Sequence, residues 1–113
     1  MKIDSYGFGR MIVDGREYTK DLILYPDHVD PSWWRAEGHR LSLRDLDAAL
    51  AAGPDILVIG TGFYGAMQVP DDVRRAVADR GIDLRVAESG AAVDLFRSLP
   101  GDKKAVAAFH LTC

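Results

Sequence analysis

The stretch Asp55-Ile56-Leu57-Val58-Ile59-Gly60-Thr61-Gly62-Phe63-Tyr64-Gly65 decides how the rest of the chain is read. Ile56–Ile59 is an unbroken aliphatic run, mostly β-branched, with no polar face. Such a run suits a strand covered on both sides, as in a parallel sheet that carries helices above and below. Gly53-Pro54 stops whatever precedes it, and the glycines that follow end it, so the segment is too short for a buried helix.

Toward the C-terminus the grammar alternates. Pro70 with Asp71 and Asp72 opens a helix, Val73, Ala76 and Val77 give it a buried stripe, and Gly81 ends it. Ile82–Ala87 reads as a second internal strand. Ser89 is placed to cap a further helix, with Ala92, Leu95, Phe96 and Leu99 on one face and Pro100-Gly101 as its stop. Ala105–Thr112 is the last strand.

Toward the N-terminus, Ser42 with Asp45 three residues on caps a helix whose Leu43, Leu46 and Leu50 share a face. Asp14-Gly15 between Arg10–Val13 and Arg16–Thr19 is a hairpin signal, because both central residues of a type I′ turn need positive φ. That register sets Met11 opposite Tyr18 and Val13 opposite Arg16. Gly7 and Gly9 around Phe8 predict a bend, and Leu22–Tyr25 a strand stopped by Pro26. Residues 27–41 have no clean period and form a loop packed by its own side chains or a short turn, not a linker. Adjacent Trp33 and Trp34 cannot both point inward from a strand, so one covers a core edge and the other stays partly exposed.

Strand, helix, strand, helix, strand with short connections requires right-handed crossovers and a mainly parallel sheet. The expected fold class is α/β, a single domain over 1–113, with the N-terminal hairpin supplying antiparallel strands. The chain has 113 residues, 48% hydrophobic and 27% charged, as globular domains do. A formal net charge of −3 argues against a nucleic-acid partner. The apolar runs are too short to span a membrane and no signal pattern opens the sequence, which sets a cytoplasmic expectation. One cysteine, Cys113, forms neither an internal disulfide nor a thiolate zinc site.

The loop after the central strand carries the main chemical signal. Gly60-Thr61-Gly62-Phe63-Tyr64-Gly65 matches G-x-G-x-x-G, and Glu88 closes the next strand where a ribose-binding acid would stand. A dinucleotide site fits poorly, because Ala66-Met67-Gln68-Val69 separates Gly65 from the helix and there are too few βα units for both halves. The milder reading is a small-anion, nucleotide or polar-metabolite site: bare amides, the Pro70-Asp71 helix end, the Thr61 hydroxyl, and Phe63 and Tyr64 as an apolar wall. The competing reading is that the glycines permit a tight exit from a buried strand while Phe63 and Tyr64 pack on a neighbour. Asp71 and Asp72 favour the latter by repelling an anion.

Catalytic arrangements are not legible. His28, His39 and His110 have no metalloprotease spacing, and Asp27-His28-Val29-Asp30 reads as a solvated turn. His39 is expected to face water. On a strand, His110 and Cys113 point to opposite faces, so they pair only if the terminus bends. A terminal carboxylate next to Cys113 would work against thiolate formation. No G-x-S-x-G elbow occurs. Arg74, Arg75 and Arg80 alternate with Asp71, Asp72 and Asp79 on a solvated face. No catalytic residue, metal ligand or cofactor is assigned.

Taken together, Tyr6-Gly7-Phe8-Gly9, the Asp14-Gly15 hairpin with Tyr18, the tryptophan in the first third, Ile59-Gly60-Thr61-Gly62, and the ending Ala105-Val106-Ala107-Ala108-Phe109-His110-Leu111-Thr112-Cys113 resemble the Mth938-like domain family of small proteins of unknown function. The resemblance spans essentially the whole chain. It implies a three-layer fold, a central parallel sheet flanked by helices and by a small antiparallel sheet. It also implies that some eukaryotic relatives are mitochondrial factors assisting assembly of respiratory complex I, and that others are linked to adipocyte differentiation. It brings no established catalytic residues. The mitochondrial relatives carry an N-terminal targeting sequence, a pattern with which this sequence does not open. The expected function is a non-catalytic binding or assembly-type module that meets a protein partner through Trp33 and Trp34 and the Phe63-Tyr64 loop. The alternative is a small-molecule, anion or nucleotide binder using the Gly60–Gly65 backbone.

Overall fold

The computed structural model describes residues 1–113. The first three strands, β1 (Ile3–Gly7), β2 (Arg10–Val13) and β3 (Arg16–Tyr18), form their own antiparallel sheet in the order β1-β2-β3. Asp14 and Gly15 take φ of 49° and 81°, so the hairpin turns as its sequence dictates. Met11 faces Tyr18 and Val13 faces Arg16, as expected.

Five strands build the main sheet: β4 (Leu22–Leu24), β5 (Val29–Asp30), β6 (Ile56–Thr61), β7 (Asp83–Ala87) and β8 (Ala105–His110), in the order β5-β4-β8-β6-β7. β6 pairs in parallel with β7 and β8, while β4 runs antiparallel to β8 and to β5. The helices are α1 (Asp47–Ala51), entered through a 3₁₀ turn at Leu43–Leu46, then α2 (Asp71–Asp79) and α3 (Ser89–Arg97). The first helix is therefore shorter than its leucine spacing suggests. Its entry holds the expected box, with the Ser42 N–H donating to Asp45 Oδ2 at 2.9 Å.

Alternation along the strands separates two cores. Leu57, Ile59, Val106 and Ala108 face α1, α2 and the 31–41 segment, meeting Leu46, Val73, Val77 and Trp33. Ile56, Val58, Ala107 and Phe109 face the other way, toward Ala92 and Val93 of α3 and Ile3, Met11 and Val13 of the small sheet. Three layers follow, with β6 buried along its whole length. The aliphatic run is thus the central strand because both its faces are covered.

β6 continues two residues beyond the aliphatic run, pairing Gly60 with Ala87 and Phe109 and Thr61 with His110. A Cβ on Gly60 would lie 2.7 Å from Ser89 Oγ and 2.8 Å from Phe109 Cδ1. The glycine is required by close packing inside the sheet. Ser89 also departs from the expected cap: Glu88 occupies that position, and the Ser89 hydroxyl points inward.

Candidate functional site

Between β6 and β8 the chain direction diverges: β6 leads through α2 to β7, whereas β8 is reached through α3 on the opposite face. Open α/β sheets form their crevices at the carboxyl ends of strands at such a switch. Thr61 and His110 stand side by side at that end.

The glycine loop turns its donors inward. Gly62 N–H donates to Ser89 Oγ at 2.9 Å, Phe63 N–H to Thr112 O at 2.7 Å, Gly65 N–H to Gly62 O at 3.2 Å and Ala66 N–H to Cys113 O at 3.2 Å. Thr61 is buried and its hydroxyl donates to Ala87 O at 3.2 Å. Gly60 and Thr61 are strand residues, and the loop binds the C-terminal tail. A cradle of free amides spanning Gly60, Thr61, Gly62, Phe63, Tyr64 and Gly65 is therefore not what this segment presents. The physical reason is that the Ser89 hydroxyl, Gly62 O and the tail carbonyls reach these amides first. Gly62 has φ of +111°, and a Cβ there would lie 2.6 Å from Thr112 O and 2.8 Å from His110 Cδ2.

Beneath the tail is a polar cluster that the sequence does not announce. Asp21, just before β4, receives Leu111 N–H on Oδ1 at 2.8 Å. Its Oδ2 receives Arg35 Nη1 at 2.7 Å and His110 Nδ1 at 2.8 Å. Carboxylate oxygens only accept, so His110 Nδ1 donates to Asp21, while Arg35 Nη2 lies 3.1 Å from the same nitrogen and the ring's other nitrogen is Nε2. That Nε2 is buried without a partner, as is Arg35 Nε. Burial pushes the Asp21 carboxyl up, but the bonds from His110, Leu111 and Arg35 outweigh it and hold the carboxyl below its ordinary value. The Arg35 guanidinium lies 4.7 Å from the Trp33 ring centroid.

Trp33 is buried, 7% exposed, and its indole N–H donates to Asp45 O at 2.9 Å, which withdraws it from any contact surface. Trp34 is 73% exposed. The pair divides as two adjacent bulky residues must, and only Trp34 remains available to a partner.

The tail bends across the glycine loop, and this repositions the two residues that strand alternation separates. Cys113 Sγ comes within 3.9 Å of His39 Nε2. The His39 and His110 rings lie edge to face with centroids 6.1 Å apart. His39 is exposed, but its ring also faces the thiol, across a separation of 74 residues that no local pattern encodes. His28 stacks on Tyr25 and pairs with exposed Asp27, away from this site.

Above the same strand ends, Phe8, Phe63 and Tyr64 form a ledge with Tyr6 beneath. Phe8 meets Phe63 edge-on at 5.7 Å and Tyr64 at 6.1 Å, and Phe63 meets Tyr64 at 5.1 Å. Tyr6 is partly buried, with its hydroxyl donating to Leu111 O at 3.2 Å, and burial raises its phenol above the ordinary value. Phe8, Phe63 and Tyr64 are nevertheless 54%, 41% and 71% exposed. Neither Phe8 nor its approach to Phe63 follows from the sequence, because the bend at Gly9 and the loop after β6 meet only through tertiary packing.

Two hollows flank these features. One, of about 520 Å³, opens beside Thr61 and Gly65 and is lined by Arg40 and Arg74 together with Asp71 and Glu88, so its charges balance. The larger, of about 770 Å³, lies at the opposite end, near Ile3, Phe96 and Leu99. There the Arg97 guanidinium is held by Ile3 O and Asp4 O. The switch-point end, where the polar cluster and the ledge converge, is the stronger candidate despite its smaller hollow.

Solved structures share the whole fold. A conserved hypothetical protein, PH1505 from Pyrococcus horikoshii OT3, is similar at 27% identity over 100% of each chain, with a TM-score of 0.84. An outer membrane protein from Bartonella henselae is similar at 22% identity over 98% of this chain and 94% of that one, TM-score 0.82. A Mth938-like domain from Bordetella pertussis is similar at 18% identity over 97% of this chain and 85% of that one, TM-score 0.65. In this chain no helix is long and apolar enough to cross a membrane. A family model described as "protein of unknown function (DUF498/DUF598)" matches residues 3–111. With its sheet order, its separate hairpin sheet and that match, the chain belongs to the Mth938-like family.

Proposed function

We propose that the protein is a binding or assembly-type module that docks a protein partner on the Phe8–Phe63–Tyr64 ledge. The observation that carries this reading is the exposure of three mutually packed aromatic rings on a compact domain. Aromatic side chains dominate interface energetics because they bury large apolar area with few rotatable bonds, and they cluster where a partner excludes water. The loop amides of Gly62, Phe63 and Gly65 are already bonded to Ser89, the tail and Gly62 O, which supports a contact function over an anion site. The partner's surface is apolar and flat enough to cover rings that stand side by side. Trp34 adds a second exposed aromatic for a larger partner.

The test is a Phe8→Ser/Tyr64→Ser double variant. Both side chains are largely outside the core, so the variant is expected to fold with an unchanged circular dichroism spectrum. A stoichiometric complex isolated with the tagged wild type at native expression should be lost with the variant. A complex that survives the double change, or a wild type that is monomeric and partnerless under those conditions, overturns the proposal. Self-association, read by sedimentation, would identify the partner as a second copy.

A further inference from the structure

The larger hollow, of about 770 Å³, lies where α3 ends and β8 begins, away from the aromatic ledge. Its volume is that of a pocket for a small molecule. The floor is apolar: Phe96, Leu99 and Ala105 are only partly covered and continue the core that holds Ile3. Tyr25 lines the same hollow at 7% exposure, and its hydroxyl makes no hydrogen bond within the chain. A buried phenol ordinarily finds a partner, so this one is free to donate to a guest.

The rim carries the opposite sign to the chain as a whole. Lys2, Arg97, Lys103 and Lys104 line the hollow against one carboxylate, Asp102, in a protein whose formal net charge is −3. Two of these cations are held by neutral groups, which orient a charge without cancelling it. Arg97 donates to Ile3 O at 2.8 Å and to Asp4 O at 3.2 Å, and Lys104 Nζ donates to Ala52 O. The acidic contacts nearby are long and solvated, at 4.0 Å from Lys2 to Asp4 and 3.9 Å from Arg97 to Asp94. Lys103 has no ion-pair partner.

From this combination we infer that the hollow binds a small organic acid, an apolar ring body carrying a carboxylate. The ring covers Phe96, Leu99 and Ala105, and the carboxylate meets the cationic rim at Lys2 and Lys103. A bare anion gains little over any other surface lysine, and a neutral apolar body gains nothing from the rim, so the amphipathic anion is the class selected. This site shares no residue with the aromatic ledge and does not depend on the docking reading.

The probe is naphthalene-2-carboxylate, titrated into the intact protein at low salt and followed by calorimetry and by backbone amide shifts. Shifts are expected at residues 96–105 and at Lys2 and Ile3. The neutral alcohol with the same ring should bind about tenfold more weakly, and added salt should weaken the carboxylate but not the alcohol. Lys2→Gln/Lys103→Gln changes two exposed side chains and should weaken the carboxylate about tenfold, whereas Lys20→Gln/Arg75→Gln removes the same charge elsewhere and should not. The salt and alcohol comparisons use the wild type alone, which keeps the test decisive if a variant unfolds. No binding of the carboxylate, equal affinity for the alcohol, a folded Lys2→Gln/Lys103→Gln variant with wild-type affinity, or shifts centred on Thr61 and Gly65 overturns the inference.

Discussion

Asp21→Asn tests the buried cluster most directly. The substitution keeps the shape, and an amide oxygen can still accept Leu111 N–H. It removes the charge that balances Arg35, whose side chain is only 5% exposed, and it offers donors to the donors of Arg35 and His110. Breaking a buried ion pair costs about 3–5 kcal/mol because the remaining charge is left uncompensated. Retaining the Leu111 bond recovers about 1 kcal/mol of that. A loss of roughly 2–4 kcal/mol follows, a large share of the ~5–15 kcal/mol typical of such a domain. Urea denaturation at pH 7 should show a lower midpoint with an unchanged slope. The sign of the pH dependence is also fixed. The Asp21 carboxyl titrates lower in the folded protein than in the unfolded chain, so its stabilisation is present above about pH 4 and is lost as pH falls through the folded value. The difference between wild type and variant should therefore shrink as pH falls below about 4, while the other carboxylates cancel in the comparison. Adding Arg35→Met to the variant should restore part of the loss, since it removes the orphaned charge. A cost below about 1 kcal/mol at pH 7, or a difference that does not change toward low pH, would refute this account of the cluster.

Other consequences are simpler to measure. Ser89→Ala leaves Gly62 N–H and His110 O without the hydroxyl that bridges them at 2.9 and 2.5 Å, and should cost about 1–3 kcal/mol by denaturant titration. Gly62→Ala combines a backbone angle that side chains rarely adopt with a close approach to Thr112 O, and should lose at least about 3 kcal/mol. Gly7→Ala, which meets open space at ordinary φ, should stay within about 0.5 kcal/mol; equal effects at the two positions would contradict the packing argument. Trp33→Phe should cost about 1–3 kcal/mol through the unpaired Asp45 carbonyl and the smaller ring left against Arg35, whereas Trp34→Ala should leave the thermal midpoint nearly unchanged.

The amino-acid sequence by itself determined the layers. Ile56–Ile59 admits only a doubly covered strand, the Val73/Val77 spacing only a helix with one buried face, and Asp14-Gly15 only a tight hairpin, because each is set by local sterics and by the period of burial. Tertiary structure decided the site. Asp21, Arg35 and His110 are far apart along the chain, and each alone resembles an ordinary charged residue beside an apolar run. Strand pairing of β4 with β8 brings Asp21 to His110, and the fold of the 31–41 segment delivers Arg35. The glycine loop shows the same division. Its tight exit from a buried strand was legible, but whether its amides faced a ligand or the chain itself depended on where residues 111–113 ran after leaving β8. Local pattern encodes backbone conformation, because that is fixed within a few residues. The partners of buried polar groups are fixed by which strands become neighbours, and that information resides in the packing of the whole chain.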